Sequence, residues 1–242
     1  MPYVSRRRES HRSFPQPDDP SVKVWRYLDL PRFISLLSTG ALAFARVDTL
    51  EDPFEGSIPP AVYEQWKERH ADLVESARRG LRKQAFVSCW HANNTESEAM
   101  WRLYCGSKDG IALQTTYERL DESLPDGVFL GQVTYLDYEC DTEPPDDTLA
   151  LLMRKRHAFE HEREIRALVW PEAAPELAPR ELDEDARVIN VPWRAAEFVE
   201  RIYVSPYAEE WYRDVVLSVI KSFAPHMVDA LTWSRMRGVP LY

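Results

Sequence analysis

The sequence has few cysteines, few glycines and no long apolar run. Its 242 residues include only 8 glycines and 3 cysteines, and Cys89, Cys105 and Cys140 lie far apart. An odd, scattered set of this kind excludes a disulfide framework and forms no zinc-type CxxC pair, which indicates a reducing compartment. No apolar stretch approaches the roughly 18 residues of a membrane span, and no signal-peptide core is present. We therefore expect a cytoplasmic protein with no membrane partner.

The chain is also short of positive charge. Its formal net charge is −10, from 30 Lys and Arg against 40 Asp and Glu. Proteins that bind duplex nucleic acid usually present a broad basic surface, so we expect no strong nucleic-acid footprint. The exception is residues 1–20, which contain Arg6, Arg7, Arg8 and Arg12 and then three prolines. This composition predicts a disordered basic tail at 1–20.

Aromatic residues, by contrast, are abundant. They make up 12% of the chain, with 8 Trp and 11 Tyr, which is typical of a folded globular protein. Strand-like and helix-like patterns alternate irregularly after the tail. The sequence therefore predicts a single α+β domain at 21–242, with a mixed, mainly antiparallel sheet flanked by helices.

The clearest local pattern is a strand, helix and strand at 22–46. Asp29 is suited to the N-cap of the helix, Pro31 to its first turn, and Gly40 to the position after its last turn. This unit places Arg26 near the end of its first strand, where ligand contacts are common. The other elements rest on weaker patterns. Strands are predicted at 84–90, 110–116, 128–136, 187–191, 198–204 and 229–237.

Four more helical segments are predicted, of which the first is a surface helix or helix pair at 61–81. Thr95 and Glu98 form a capping-box pattern before a helix at 96–104, and a helix at 148–160 is expected to lead into a later strand. The helix at 209–224 is amphipathic. Its predicted inward residues are Trp211, Val215, Val216, Val219, Ile220 and Phe223.

Carboxylates alternate along one late segment. Glu160, Glu162 and Glu164 fall at every second residue, and Arg166 and an apolar run follow. We predict a strand from Glu162 onward, which would place Glu162, Glu164 and Arg166 on one face. Like charges on one face repel, so they need a cation, a ligand or water. A solvated, charged edge strand is the alternative.

Several motifs resemble a bacterial family known only as domain of unknown function 2971. They span about residues 22–170 of this sequence. The motifs are Tyr27, 33–37, 40–44 and the 52–56 loop, then 86–90, 99–104 and 110–113, then Phe159, Glu162, Glu164 and Arg166. The resemblance implies no activity. Its members often occur in antiviral or abortive-infection settings, which implies a role in phage defence.

A more distant resemblance does imply chemistry. Mono-ADP-ribosyltransferases place an Arg or His at the end of a first strand, a Ser on a later strand and a Glu-x-Glu strand late in the chain. Here Arg26, Ser88 and the pair Glu162 and Glu164 follow in that order. The resemblance implies an ADP-ribosyltransferase-like split sheet and NAD as substrate, with no metal.

The sequence departs from that family at two points. In the toxin branch a second hydroxyl follows the Ser after one residue, whereas Trp90 stands there in this chain. The carboxylate pair can also be read as Glu160 and Glu162. The acceptor is open between protein, RNA, DNA and water, and the last of these would make the chain an NAD glycohydrolase.

The resemblance assigns catalytic roles to three residues. Cleavage of the nicotinamide–ribose bond passes through an oxocarbenium-like transition state, which a carboxylate stabilises. Glu164 is assigned to that charge, and Glu162 would orient or deprotonate the acceptor. Ser88 would hydrogen-bond the nicotinamide ribose.

Five further residues would bind the nucleotide. Arg26 would clamp the pyrophosphate through paired hydrogen bonds, or else form a salt bridge to one of the glutamates. Tyr27, Trp90 and Tyr104 would give flat walls for a ring, and Arg166 would pair with Glu164 or bind phosphate. These roles require Arg26, Ser88 and Glu164 to share one cleft.

Two other functions compete with this one. In a non-enzymatic defence or regulatory module, Trp90, Trp101 and Tyr104 would be core or a partner surface. A metal-dependent nuclease would use clustered carboxylates, because these bind Mg²⁺ or Mn²⁺. Its candidate residues are Asp52, Glu55, Glu162, Glu164, His157 and His161. Asp52 precedes Pro53, so we favour turn formation for Asp52 and Glu55.

Overall fold

The computed structural model describes residues 12–68, 71, 74–75, 80–106, 108–141, 145, 147–177 and 186–238. The chain forms two compact units. Unit 1 contains residues 1–18, 43–89 and 125–191, and unit 2 contains residues 19–42, 90–124 and 192–242. The predicted class is confirmed: the chain is α+β, with a mixed, mainly antiparallel sheet and flanking helices. The boundaries of a tail at 1–20 and one domain at 21–242 stay predictions.

The elements follow one another along the chain without an internal repeat among the described residues. The strands are β1 Lys23–Leu28, β2 Ala41–Arg46, β3 Phe86–Ala92, β4 Ile111–Thr116, β5 Val128–Gln132, β6 Thr134–Leu136, β7 Arg154–Arg156, β8 Glu164–Val169, β9 Val188–Pro192, β10 Arg201–Val204 and β11 Leu231–Trp233. The α-helices are α1 Leu30–Thr39, α2 Pro60–Trp66, α3 Leu81–Gln84, α4 Glu98–Cys105, α5 Tyr117–Ser123, α6 Thr148–Leu151, α7 Ala195–Phe198 and α8 Glu210–Phe223. Short 3₁₀ helices occupy Val47–Thr49, His157–Glu162, Pro225–Ala230 and Arg235–Arg237.

Unit 2 is built on antiparallel pairs. Strand β1 pairs with β3 on one side and β4 on the other, and β10 pairs with β4. Strand β11 runs parallel to β10. Helix α1 begins and ends as predicted: Asp29 accepts a hydrogen bond from the Arg32 backbone N–H at 2.8 Å, and Gly40 has a φ of 61°. The apolar core beneath β1 is lined by Trp25, Tyr27, Met100, Trp101, Cys105, Ala112 and Tyr203.

Unit 1 also relies on antiparallel pairs. Strand β8 pairs with β5 and β3, and β2 pairs with β3. Strands β6 and β7 form a small parallel pair. All six residues of β8 are buried. The main core of the unit is formed by Phe14, Val47, Leu81, Ala85, Val87, Leu151, Leu152, Met153 and Leu168.

The described part of the predicted tail differs from a solvated terminus. Phe14 is buried and its ring stacks on Phe129 with centroids 4.8 Å apart. The Gln132 N–H donates to the carbonyl of Pro15 at 2.7 Å, and Gln16 donates to the carbonyl of Leu130 at 2.9 Å. These contacts attach residues 14–16 to strand β5. The three consecutive arginines of the tail lie outside the described residues.

Several predicted elements are wrong in part. The strand predicted at 229–237 is extended only in β11, between the 3₁₀ helices Pro225–Ala230 and Arg235–Arg237, and the strand predicted at 128–136 is divided into β5 and β6. The helix predicted at 148–160 is instead α6, strand β7 and a 3₁₀ helix. The N-cap of α4 is Ser97 rather than a Thr95–Glu98 box, because the Ser97 hydroxyl accepts from the Met100 N–H at 3.4 Å. Helix α8 buries Val216 and Ile220 as predicted, but three of the other residues predicted to face inward are exposed. Its buried residues are Tyr212, Val216 and Ile220, and its exposed ones include Trp211, Val215 and Phe223.

Among the described residues, no helix is both long and apolar enough to cross a bilayer.

Candidate functional site

The late carboxylates lie in unit 1, but the backbone presents them differently from the prediction. Strand β8 begins at Glu164, so Glu164 and Arg166 share one strand face as expected. Glu162 ends the preceding 3₁₀ helix, and Arg163 between them has a φ of 40°. A left-handed residue breaks the strand alternation. The strand therefore starts two residues later than predicted, and Glu162 does not belong to its face.

Five side chains of unit 1 nevertheless meet in one group, which we term the carboxylate cluster: Glu55, Lys155, Glu162, Glu164 and Arg166. Arg166 is completely buried. Its Nε donates to Oε1 of Glu164 at 2.6 Å and its Nη2 to Oε2 of the same residue at 3.0 Å. Nη2 also pairs with Glu55, and Nη1 donates to the carbonyl of Leu152 at 2.6 Å. Glu164 is thus held by a two-pronged guanidinium contact, which confirms the predicted pairing with Arg166.

Lys155 is the second cation of the cluster. It lies on β7, and its side chain is only 7% exposed. Its Nζ is 2.5 Å from Glu162, 3.1 Å from Glu164 and 3.4 Å from Glu55. One ammonium therefore binds all three carboxylates. No contact between Lys155 and the glutamates is predicted from the sequence, because residues 148–160 are there assigned to a helix rather than to strand β7.

The cluster carries unequal charge. Its three carboxylates face two cations, which leaves one formal negative charge over within these five side chains. Burial opposes the ionisation of Glu164, but Arg166 and Lys155 outweigh that effect and lower its pKa to about 2. For Glu162 the balance is reversed: burial raises its pKa, and the attraction of Lys155 only partly offsets the rise. The negative charge is therefore held less firmly at Glu162 than at Glu164.

Glu162 is also the carboxylate of the cluster that is nearest to solvent. Its side chain is 11% exposed, compared with 2% for Glu164 and 3% for Glu55. The hydroxyl of Tyr135 accepts the Glu164 backbone N–H at 2.8 Å and closes one side of the cluster. A ligand that approached the cluster would reach Glu162 before it reached Glu164.

The loop at 52–56 supplies one member of the cluster. It forms the predicted turn, because the Phe54 N–H donates to Asp52 Oδ1 at 3.0 Å and the Glu55 N–H donates to the Asp52 carbonyl at 3.2 Å. Both acids are also buried and ion-paired. Arg156 donates to Asp52 from Nη2 to Oδ1 at 2.9 Å and from Nε to Oδ2 at 3.1 Å. Glu55 pairs with Arg166 and Lys155. Turn chemistry alone did not reveal this second role.

Aromatic rings border these ion pairs. The Arg156 guanidinium lies 4.4 Å from the centroid of the Phe54 ring and 5.5 Å from that of Phe159. Lys155 lies 5.1 Å from the same Phe159 ring. Cations stack favourably on aromatic faces, so these rings fix the charged groups from the outer side.

Two further residues of unit 1 lie on β3. Ser88, the predicted ribose contact, is buried with 1% exposure. Cys89 follows it, and burial raises the pKa of its thiol, as does the nearby charge of Glu164. Cys89 is therefore a neutral neighbour of the cluster.

The remaining predicted site residues lie in unit 2. The Arg26 guanidinium lies 5.8 Å from the centroid of the Trp90 ring. Trp90 is 2% exposed, packs against Trp193 and has a buried indole N–H with no hydrogen-bond partner among the described residues. Tyr27 is buried in the core, and its hydroxyl accepts the Ser97 N–H at 3.1 Å.

Tyr104 differs from its predicted companions, because it is 42% exposed. The predicted residues thus fall into two groups. Glu162, Glu164 and Arg166 meet in the cluster of unit 1, and Arg26 and Trp90 meet in unit 2. The roles assigned to all of them stay predictions.

The carboxylates of the nuclease alternative are held by cations of the chain itself. Lys155 and Arg166 form ion pairs with Glu55, and Arg156 forms an ion pair with Asp52. His157 is exposed and lies 3.8 Å from the exposed Glu160. The described residues contain no group of three or more His, Cys, Asp and Glu side chains arranged to hold a metal ion.

Comparison with known proteins gives a distant likeness. No protein-family model matches the chain, and no curated protein matches it. A structure of Thermus sp. 2.9 DarT in complex with ADP-ribosylated ssDNA is similar over 92% of this chain and 97% of that chain, with 12% identity and a TM-score of 0.42. The structure of the same protein in complex with carba-NAD+ is similar over 90% of this chain and 97% of that chain, with 11% identity and a TM-score of 0.40. These values are low, and the likeness by itself assigns neither a fold nor an activity. The resemblance to family 2971 stays a prediction.

Proposed function

We propose that the chain is an NAD-consuming enzyme of the ADP-ribosyltransferase or NAD glycohydrolase class, with the carboxylate cluster as its site of ribosyl chemistry. One observation carries the proposal: three carboxylates converge on two cations, and Glu162 is the most exposed of the three, with a pKa that burial raises. Burying charge is costly, and strongly perturbed groups are concentrated at functional sites.

The surplus negative charge suits this reaction. The nicotinamide ring of NAD is cationic, and the ribose becomes oxocarbenium-like as the glycosidic bond breaks. A fixed negative charge at the edge of a buried site stabilises that state more than it would in water. The cluster supplies such a charge without a metal.

The geometry changes the division of roles between the two glutamates. Both oxygens of Glu164 are bound by Arg166, and one is also bound by Lys155, so Glu164 supplies a permanent charge. Glu162 is the carboxylate that contacts the ribose or the acceptor. This assignment moves direct contact with the substrate from Glu164 to Glu162.

Ser88 is the predicted nucleotide contact that shares unit 1 with the cluster, and it would hold the ribose. The contacts predicted for Arg26, Trp90 and Tyr104 of unit 2 stay predictions. Trp90 has a buried N–H with no partner among the described residues, and a donor of that kind suits a ligand oxygen. Tyr104 is exposed and offers a ring face.

The test replaces Glu162 by Gln and measures nicotinamide release from NAD. The variant keeps the size of the side chain and removes its charge. Loss of a contact made only in the transition state lowers kcat by about a hundredfold to a thousandfold. Glu160→Gln is the matched control, because Glu160 lies on the same 3₁₀ helix and is 70% exposed. It should keep full activity, which also decides between the two Glu-x-Glu readings.

Two results would overturn the proposal. One is a wild-type protein that releases no nicotinamide from NAD and transfers no ADP-ribose to protein, RNA, single-stranded DNA or water. The other is full activity in Glu162→Gln. Glu164→Gln is a poorer test, because it disturbs a buried ion pair and its loss of activity would be mixed with loss of stability.

A non-enzymatic binding module is the second candidate. The burial of Tyr27 and Trp90 and the complete engagement of Glu164 favour it. Mass spectrometry of the purified protein separates the two. A module that retains its ligand would carry an unaltered nucleotide, whereas an enzyme would release free nicotinamide from added NAD. The phage-defence setting is a further proposal. Phage plating on cells that express either the wild-type protein or the Glu162→Gln variant would test it.

A further inference from the structure

The pairing of Glu162 with Glu164 needs an explanation, because the backbone does not provide it. In a continuous strand, residues two apart would share a face. Glu162 lies outside the strand, and the left-handed Arg163 separates it from Glu164. Two carboxylates also repel each other. A separate group must therefore hold them together.

Lys155 has the geometry of that group. Its ammonium has three N–H donors, and three carboxylates lie around it at 2.5, 3.1 and 3.4 Å. Its own position is fixed from outside the cluster. Strand β7 pairs in parallel with β6 at Tyr135, and β6 carries neither glutamate. The Phe159 ring, on the 3₁₀ helix that also carries Glu162, lies 5.1 Å from the Lys155 Nζ. Lys155 is thus anchored in part by a strand other than the two elements that carry Glu162 and Glu164.

We propose that Lys155 is a positioning residue, whose ammonium rather than the strand sets Glu162 beside Glu164. This inference rests on the proposed function for its effect on catalysis, but its effect on Glu162 is independent of any reaction. The charged groups that face Glu162 are Lys155, Glu164 and Glu55, and the hydroxyl of Tyr135 lies close to them. Lys155 makes its two shortest contacts in the cluster with Glu162 and Glu164.

An arginine cannot replace this lysine without loss. A guanidinium is a planar fork that matches one carboxylate, whereas an ammonium is a compact point with three rotatable donors. Lys155→Arg therefore keeps the charge of the cluster but cannot reproduce its threefold contact. Small misplacements of a catalytic group of about 1 Å can cost about a hundredfold in rate.

The experiment compares Lys155→Arg with Lys67→Arg. Lys67 also pairs with a glutamate of unit 1, but both partners are exposed. We expect Lys155→Arg to lower kcat for nicotinamide release by about a hundredfold with little change in the KM for NAD. Lys67→Arg should match wild type. Equal kcat in all three proteins would overturn the proposal.

A second measurement does not need activity. Carbon-13 NMR follows the titration of the Glu162 carboxyl group, assigned by its absence in Glu162→Gln. In wild type it should titrate above its ordinary pKa of 4.5, because burial raises it. Lys155→Arg should move that titration, and Lys67→Arg should not. An unmoved titration would overturn the positioning role, while absence of NAD cleavage in wild type would overturn only the proposed function.

A third comparison measures stability alone and needs neither activity nor Lys155→Arg. Lys155→Met leaves three carboxylates with Arg166 alone, so it should be strongly destabilised. Adding Glu162→Gln removes one of those charges and should restore part of the lost stability. Additive effects of the two substitutions would show that Lys155 does not act on Glu162.

Discussion

Three of the four predicted site residues of unit 1 are charged and lie in a buried ion-pair cluster, Ser88 being the exception. In unit 2 they are mostly aromatic, and two of them lie in an apolar core. Glu164 and Arg166 are almost completely buried together. Tyr27 and Trp90 are as deeply buried, but among rings and aliphatic side chains. Apolar burial stabilises a fold directly, whereas a buried ion pair is weak evidence for stability. The charged cluster is therefore the better candidate for function.

The largest expected effect is the loss of the cluster's buried guanidinium. Arg166→Met fills a similar space but leaves the three carboxylates of the cluster with Lys155 as the one cation among the five side chains. Breaking a buried pair in this way costs about 3 to 5 kcal/mol of unfolding free energy, measured by urea titration. Arg102→Met is the matched control in unit 2, where the pair with Glu98 is exposed, and it should barely move the midpoint. A small change in Arg166→Met would show that the cluster is not tightly coupled.

The pH dependence of the free energy of unfolding should distinguish Glu164 from Glu162. The pKa of Glu164 is lowered from 4.5 to about 2, so the stabilisation from its ionised form is complete above pH 4.5 and is lost as the pH falls towards 2. That contribution is on the order of 3 kcal/mol. The pKa of Glu162 is raised, so its ionised form opposes folding as the pH rises. Glu164→Gln should therefore lose stability at pH 7 and show a shallower decline in acid.

Urea titrations at pH 7, 4 and 3 measure both variants, because the contribution of Glu164 is lost below pH 4.5. Glu162→Gln should lose far less stability than Glu164→Gln at pH 7, and its decline in acid should be at least as steep as that of wild type. Identical pH profiles for the two variants would contradict the opposite pKa shifts.

A cavity in unit 2 should have a smaller effect. Met100 is fully buried on α4, and Met100→Ala should cost about 2 kcal/mol or slightly more. Leu103→Ala on the same helix is the control, because Leu103 is 57% exposed. Thermal unfolding should show a clear loss for the first and almost none for the second. Equal losses would mean that α4 presents another face to the core.

The smallest effect concerns one hydroxyl. Tyr27→Phe removes the acceptor of the Ser97 N–H at the start of α4 and should cost about 1 kcal/mol. Tyr104→Phe, at an exposed position, should leave stability unchanged. If Tyr27→Phe lowers nicotinamide release more than its loss of stability explains, the predicted ligand contact of Tyr27 is supported. If activity is unchanged, Tyr27 is a core residue.

Local signals predicted the parts of the fold that local physics decides. The cap at Asp29, the stop at Gly40 and the turn at Asp52 depend on neighbours within a few residues, and the structure contains all three. Glu164 and Arg166 share a face because β8 is a regular strand. These features needed no knowledge of distant contacts.

Long-range contacts decided the rest. The segment around Lys155 has helical composition, but its pairing with β6 makes it a strand. Helix α8 carries two apolar stripes one residue apart, so its pattern could not show which stripe the core would accept. Asp52 is buried, and its ion-pair partner Arg156 lies 104 residues away, so no local pattern links the two. The charged cluster therefore had only its glutamates and Arg166 as sequence signals.

The attachment of Phe14 has a practical consequence for work on the basic segment. A Cβ added at Gly131 would come within 2.9 Å of Phe14, so this contact leaves no room for a larger side chain. Deleting residues 1–11 removes three consecutive arginines and keeps the Phe14–Phe129 stack. Deleting residues 1–20 removes both and opens a hole beside β5. Only the shorter truncation can tell whether those arginines bind a partner, because the longer one also changes the folded domain.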